Sequence, residues 1–232
     1  MGMIGVNVRG RLKIIDNSIG SAIDDYQIES ANVSVDLKPA FYGRFMYMAN
    51  KSGSDLVTLN YVRGPSSTTL LDTIDSFSIG HTSVGIYAKG RYIWDMTGAG
   101  VMYQWDLNAQ LSVATVSLPA STYRGLSYDG RFFWTIDVTN GNMVSFNEDG
   151  LITGAITAPS DAYDLDITDR FLYVTTGTTG TTGVMYTYDI VTGTQVGFLG
   201  VFSTFGTSER VSGITVIEER FIYLTYINVI AV

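Results

Sequence analysis

Short apolar runs, alternating or continuous, follow one another along this chain, and Gly, Asn, Asp and Ser separate them. The clearest stretch begins at Arg124. Arg124 to Tyr128 reads as a first strand, Asp129-Gly130 as a turn, and Arg131 to Asp137 as a strongly apolar second strand. Asn140-Gly141 is a second hairpin signal, Met143 to Phe146 a third strand, and Asn147 to Gly150 a third turn. Leu151 to Thr157 supplies a fourth strand before Pro159. No segment holds a 3.6-residue apolar period over ten residues, so the pattern predicts an all-β chain of antiparallel meanders.

The unit recurs. Arg, an aromatic, an apolar residue and then Tyr or Trp appear at 44–47, 91–94, 131–134, 170–173 and 220–223, with spacings of 47, 40, 39 and 50 residues. Strands are predicted at 83–88, 91–95, 101–106 and 111–117 in the second copy, and at 164–167, 170–175, 184–189 and 195–200 in the fourth. The first copy has 44–48, 56–61 and 69–74 after a less regular opening strand. Within Arg-Phe-Leu-Tyr, alternation places Phe171 and Tyr173 on one face and Arg170 and Leu172 on the other. All ten repeated aromatics are expected to be mostly buried between sheets.

A four-stranded meander at this period resembles a β-propeller blade. Leu172 to Thr176, with Val184 to Asp189 and Thr192-Gly193, resembles the YVTN repeat type. The resemblance implies a single propeller domain over 1–232, with blades near 30–76, 77–119, 120–159, 160–204 and 205–232. The last copy lacks its outer part, and 1–16 reads as a hairpin around Arg9-Gly10 that completes it and closes the ring. Five blades are expected. Six is the alternative, because Gly5 to Arg11 resembles Gly125 to Arg131.

Charge narrows the partners. Fourteen basic residues oppose 22 acidic ones, for a net charge of −8, which argues against phosphate-backbone binding and hence against nucleic acid. With no cysteine, thiolate chemistry, disulfides and Cys-zinc sites are excluded. Neither a signal peptide nor an apolar span is evident, so membrane insertion is not expected.

Candidate chemistry is sparse. His81 is the single histidine, in Gly80-His81-Thr82-Ser83, with no Gly-x-Ser-x-Gly elbow to accompany it. Asp161, Asp164, Asp166 and Asp169 cluster ahead of the fourth Arg motif. Oxygen ligands at that density could hold Ca²⁺, but the spacing is not that of an EF-hand, and solvated acids or arginine partners are the simpler reading. No metal or cofactor is predicted. Tyr123, Tyr163, Phe77 and Phe205 stand where loops lead into blades and could stack on sugars. The (Thr-Thr-Gly)₃ loop at 175–183 is a polar, adaptable surface, and Asn32 and Asn50 stand in glycosylation-type triplets. The repeated arginines, falling at one point of the unit, read as scaffold.

Together these features predict a non-catalytic structural or interaction module. Its surface residues of interest are His81, Tyr123, Arg124, Asp161, Tyr163 and Asp164, on the rim formed by the loops leading into each blade and those between its second and third strands. By analogy with propellers appended to viral capsid and tail proteins, a virion or extracellular surface assembly is the expected setting, with other proteins of the assembly as partners. The alternatives are a lectin-like glycan binder and a lactonase- or lyase-type enzyme of the YVTN-like kind.

Overall fold

A computed structural model describes residues 7–16, 21–28, 39–42, 45–49, 55–60, 73–176, 184–200, 209–217 and 221–230. Arg44, Arg220, Asn32, Asn50, Phe205 and positions 177–183 of the Thr-Gly loop lie outside them.

Strands β1 (Asn7–Asp16) and β2 (Ser21–Ile28) lead the chain. β3 (Ala40–Tyr42), β4 (Phe45–Ala49), β5 (Asp55–Asn60) and β6 (Thr73–Ser78) form one antiparallel sheet in chain order. β7 (Ser83–Lys89), β8 (Tyr92–Thr97), β9 (Val101–Asp106) and β10 (Leu111–Ser117) form the next. They are followed by β11 (Tyr123–Tyr128), β12 (Phe133–Asp137), β13 (Asn142–Phe146) and β14 (Ile152–Thr157). β15 (Ala162–Ile167), β16 (Phe171–Thr176), β17 (Val184–Asp189) and β18 (Thr194–Gly200) repeat the order. β19 (Glu209–Ile217) and β20 (Phe221–Ile230) pair with the N-terminal strands in the order β19-β20-β1-β2. The architecture is a single all-β propeller of four-stranded antiparallel blades.

The N-terminal segment does complete the sheet that the C-terminal strands begin, but not as a hairpin around Arg9-Gly10. β1 runs unbroken through Gly10, which pairs with Ile227 on one side and Ile28 on the other. The N-terminal segment therefore supplies two strands, and β20 runs on through Ile227 to Ile230. A glycine in a strand interior weakens it, but the ladders made on both sides of Gly10 override the turn signal here.

The first strand of each blade faces its neighbour across the ring. Gly85 on β7 meets the backbone of β11 so closely that a Cβ would stand 2.5 Å from Leu126 N. Gly125, at φ +66°, leaves room in turn for Asp164 Oδ1 on β15. On the far side, Thr215 Oγ1 on β19 donates to the Pro39 carbonyl beside β3 at 2.5 Å. Residues of β3, β7, β15 and β19 together line a cavity of about 170 Å³.

The aromatic repeat divides by depth. Tyr47, Trp94, Trp134 and Tyr173 are buried, with Met46, Ile93, Phe133 and Leu172 buried beside them. Phe45, Tyr92, Phe132 and Phe171 are half-buried, less completely enclosed than the other four. Arg91, Arg131 and Arg170 lie over the last three of these rings at 5.0, 4.8 and 5.6 Å and cover what the neighbouring blade does not. The side chains of Phe221 and Tyr223 are outside the described set.

Two of the repeated arginines pair with acids of their own blades. Arg91 reaches Asp106 at 3.0 Å and Arg170 reaches Asp189 at 2.7 Å, acids at the end of the third strand rather than at the adjoining turn. Each of those carboxylates uses its other oxygen to accept two backbone N–H groups of the following turn. The Arg170 hydrogen bond holds the Asp189 carboxyl below the usual range, against the opposing effect of burial.

Candidate functional site

His81 lies in the loop between β6 and β7. Its Nε2 is 2.5 Å from Asp95 Oδ2, and its ring stacks on Tyr103 with centroids 4.3 Å apart. Asp95 is fully buried, and its second oxygen accepts Trp105 Nε1–H at 2.6 Å. The imidazole therefore closes a buried polar pocket, as unpaired carboxylates are costly in an apolar interior. Among the described residues no hydroxyl bonds to the ring, so a His–Asp pair stands without a nucleophile.

The acidic cluster divides into buried and exposed members. Asp164 and Asp166 point to the same face of β15 and are almost wholly buried. Asp164 Oδ2 accepts Ile214 N–H at 3.1 Å, and Asp166 Oδ2 accepts Val216 N–H at 2.7 Å, both from β19. Asp166 Oδ1 takes the Ser127 hydroxyl of β11 at 2.5 Å. These carboxylates satisfy the unpaired N–H row of a neighbouring blade's innermost strand, so the reading of solvated acids is corrected for both. Asp161 is exposed at φ +60°. No grouping of three metal-ligating side chains occurs among the described residues.

The other predicted residues are placed as follows. Tyr123 is a core residue, 1 % exposed, whose hydroxyl donates to the Pro119 carbonyl. It cannot stack on a surface ligand. Phe77 packs on Trp105 at 5.8 Å. Arg124, exposed, lies 5.3 Å over the half-buried Tyr163 ring, so those two share a patch. Tyr123, Asp164 and His81 are thus drawn into the fold, while Arg124, Tyr163 and Asp161 remain at the surface.

One arrangement was missed by reading the sequence. A cleft of about 580 Å³ opens between the β7–β10 blade and the turn after β13, on the side of the β7–β8 turn. Lys89, Arg91, Trp94, Gln104, Glu148 and Asp149 stand in its wall. Trp94 Nε1 is buried there without an acceptor, alone in that state among the described residues. The signal lay in the repeat. Lys89 opposes Tyr92 across its turn as Asp129 opposes Phe132, and Asp129 Oδ2 accepts the Trp134 indole N–H at 2.8 Å. Lys89 has no acceptor to offer.

The fold defines the class, a β-propeller, and the comparisons agree with it at that level. No protein-family model matches the sequence, and no curated protein matches it. Among solved structures, the chain is similar to a glutaminyl cyclase from Myxococcus xanthus. That match has a TM-score of 0.62 and 13% identity, over 90% of this chain and 99% of that one. A computationally designed protein, Ika8, matches with a TM-score of 0.51 and 11% identity, over 94% of this chain and 64% of the other. BamB from Moraxella catarrhalis matches at 0.45 and 14%, over 88% and 63%. At such identities the likeness concerns the fold.

Proposed function

We propose that the protein is a non-catalytic interaction module of a protein assembly, built as one closed five-bladed ring. The sheet order β19-β20-β1-β2 and the Thr215–Pro39 hydrogen bond support the ring. The observation that carries the interaction reading is on the outside. The outermost strands of three consecutive blades expose apolar side chains: Leu111 and Val113 on β10, Ile152 on β14, Val196 and Phe198 on β18. Phe198 is 74% exposed. Outer strands carry unpaired backbone edges, and apolar groups along them favour docking of another chain. The carboxylates at 164 and 166 and the His81–Asp95 pair are engaged in joining blades and filling the interior, which supports a role other than catalysis.

Among assemblies, a virion or cell-surface particle is the one proposed, by analogy with propellers carried on capsid and tail proteins. The test is sedimentation from the native source. The protein is expected to travel with a large particle, and a folded Leu111→Asp/Phe198→Asp variant to stay in the light fraction. Wild type found only in the light fraction overturns the reading, as does a variant that still sediments with the particle.

A further inference from the structure

We propose that the cleft beside Trp94 binds the carboxylate of a small polar ligand. The repeat itself provides the template. In the β11–β14 blade, the Asp129 carboxylate accepts three N–H donors: Arg131 N at 2.7 Å, Phe132 N at 2.6 Å and Trp134 Nε1 at 2.8 Å. In the β7–β10 blade the corresponding indole, Trp94, is equally buried, at 4% exposure against 5% for Trp134. The corresponding turn residue is Lys89, so the indole N–H has lost its internal acceptor. A buried donor with no acceptor is costly, and one placed in the wall of a cleft is satisfied by whatever acceptor occupies it.

The neighbours decide which acceptor. Lys89 and Arg91 put two cations in the same wall as the indole, where Asp129 supplies a carboxylate in the next blade. Lys89 Nζ is held by Tyr128 Oη at 3.1 Å and by Glu148 at 3.4 Å, and both ends of that ion pair are solvent-exposed. Such a pair contributes little and exchanges readily for a better-placed anion. Arg91 spends part of its fork on Asp106 and on Tyr92 Oη, and a guanidinium has donors to spare. Glu148, Asp149 and Gln104 line the same cleft and would receive hydroxyl or ammonium groups of the ligand. The cleft has ample room for a monosaccharide acid or an amino acid, both of which present one carboxylate with such groups beside it. This inference is independent of docking through the outer strands and concerns a different face.

The indole N–H signals read the site directly, since the chain has three tryptophans. In two-dimensional ¹H–¹⁵N spectra the Trp94 signal, identified by its loss in Trp94→Phe, is followed during titration with glucuronate, glutamate and glucose. Saturable downfield movement of that signal alone with a carboxylate probe, and none with glucose, is expected. Glucuronate or glutamate as the better probe distinguishes an acidic sugar from an amino acid. Lys89→Asp supplies the carboxylate from within, as Asp129 does. Its Trp94 signal is expected downfield without any probe and insensitive to all three, with a raised melting temperature. The inference is overturned if neither carboxylate moves the Trp94 signal. It is also overturned if glucose moves it equally, or if the response survives in Lys89→Asp.

Discussion

Replacing Asp166 by alanine removes the joint at which three blades meet. Its carboxylate accepts Val216 N–H of β19 at 2.7 Å and the Ser127 hydroxyl of β11 at 2.5 Å, and it is 5% exposed. Hydrogen bonds to a charged acceptor contribute about 1.5–3 kcal/mol each, and a donor left buried without a partner costs about 1–3 kcal/mol. The hydroxyl can rotate away and the amide cannot, so a loss of about 3–5 kcal/mol is expected, a large share of a typical domain's ~5–15 kcal/mol. Ser127→Ala alone should cost about 1–2 kcal/mol. The double variant should be less destabilised than the sum by about 1–2 kcal/mol, since both single changes break the same Ser127–Asp166 hydrogen bond. Urea melts followed by tryptophan fluorescence measure all four states of the cycle. A second readout is the Tyr87 phenol, whose pKa is pushed up to about 12, first by burial and then by the Asp166 charge, with smaller contributions from Tyr128 and Asp129. Removing Asp166 should lower it in an ultraviolet titration. A cost below about 1 kcal/mol with additive single effects would refute the idea that this carboxylate joins the blades.

Three further outcomes are expected. Trp134→Ala, which empties a buried site and frees Asp129 Oδ2, should cost about 3–5 kcal/mol in the same melts. Gly125→Ala should cost more than about 2 kcal/mol, because a Cβ there meets Asp164 Oδ1 at 2.5 Å on top of a left-handed backbone, whereas Gly130→Ala, with open space around it, should cost only about 1 kcal/mol of backbone strain. Arg170→Gln should show a pH-dependent penalty. Because Arg170 lowers the Asp189 pKa in the folded state, its contribution is present above the unfolded carboxyl value of about 4 and fades as pH falls through the depressed one, so wild type and variant melts should converge in acid.

The middle blades were legible because each is local. Asp129-Gly130 and Asn140-Gly141 sit between strands that pair with their nearest neighbours in sequence, and β11 to β14 fall within a residue or two of the expected spans. The closing sheet was legible only in outline. It joins segments some 200 residues apart, and a turn signal such as Arg9-Gly10 is overruled when both sides of the strand find partners. The site residues show the same division. Asp164 and Asp166 look like surface acids in the chain because their partners, Ile214 and Val216, lie 50 residues onward. Tyr123 looks like a sugar platform until its neighbours fill in around it. The Trp94 donor could have been found by laying the second turn over the third and asking what Lys89 does in place of Asp129.

The pairing of β1 with β20 has a consequence for how the protein is made. A ribosome adding ~5–20 residues per second releases β1 roughly 10–40 s before β20 exists. Throughout that interval β1 can pair with β2 but its other edge has no partner, while the middle blades, whose contacts are local, can already form. The nascent chain therefore passes through a stage in which the β1–β2 pair, with the β20-facing edge of β1 still open, trails from a nearly finished body. Chaperone demand and aggregation risk should concentrate at that stage, and slowing translation of the final fifty codons should lengthen it.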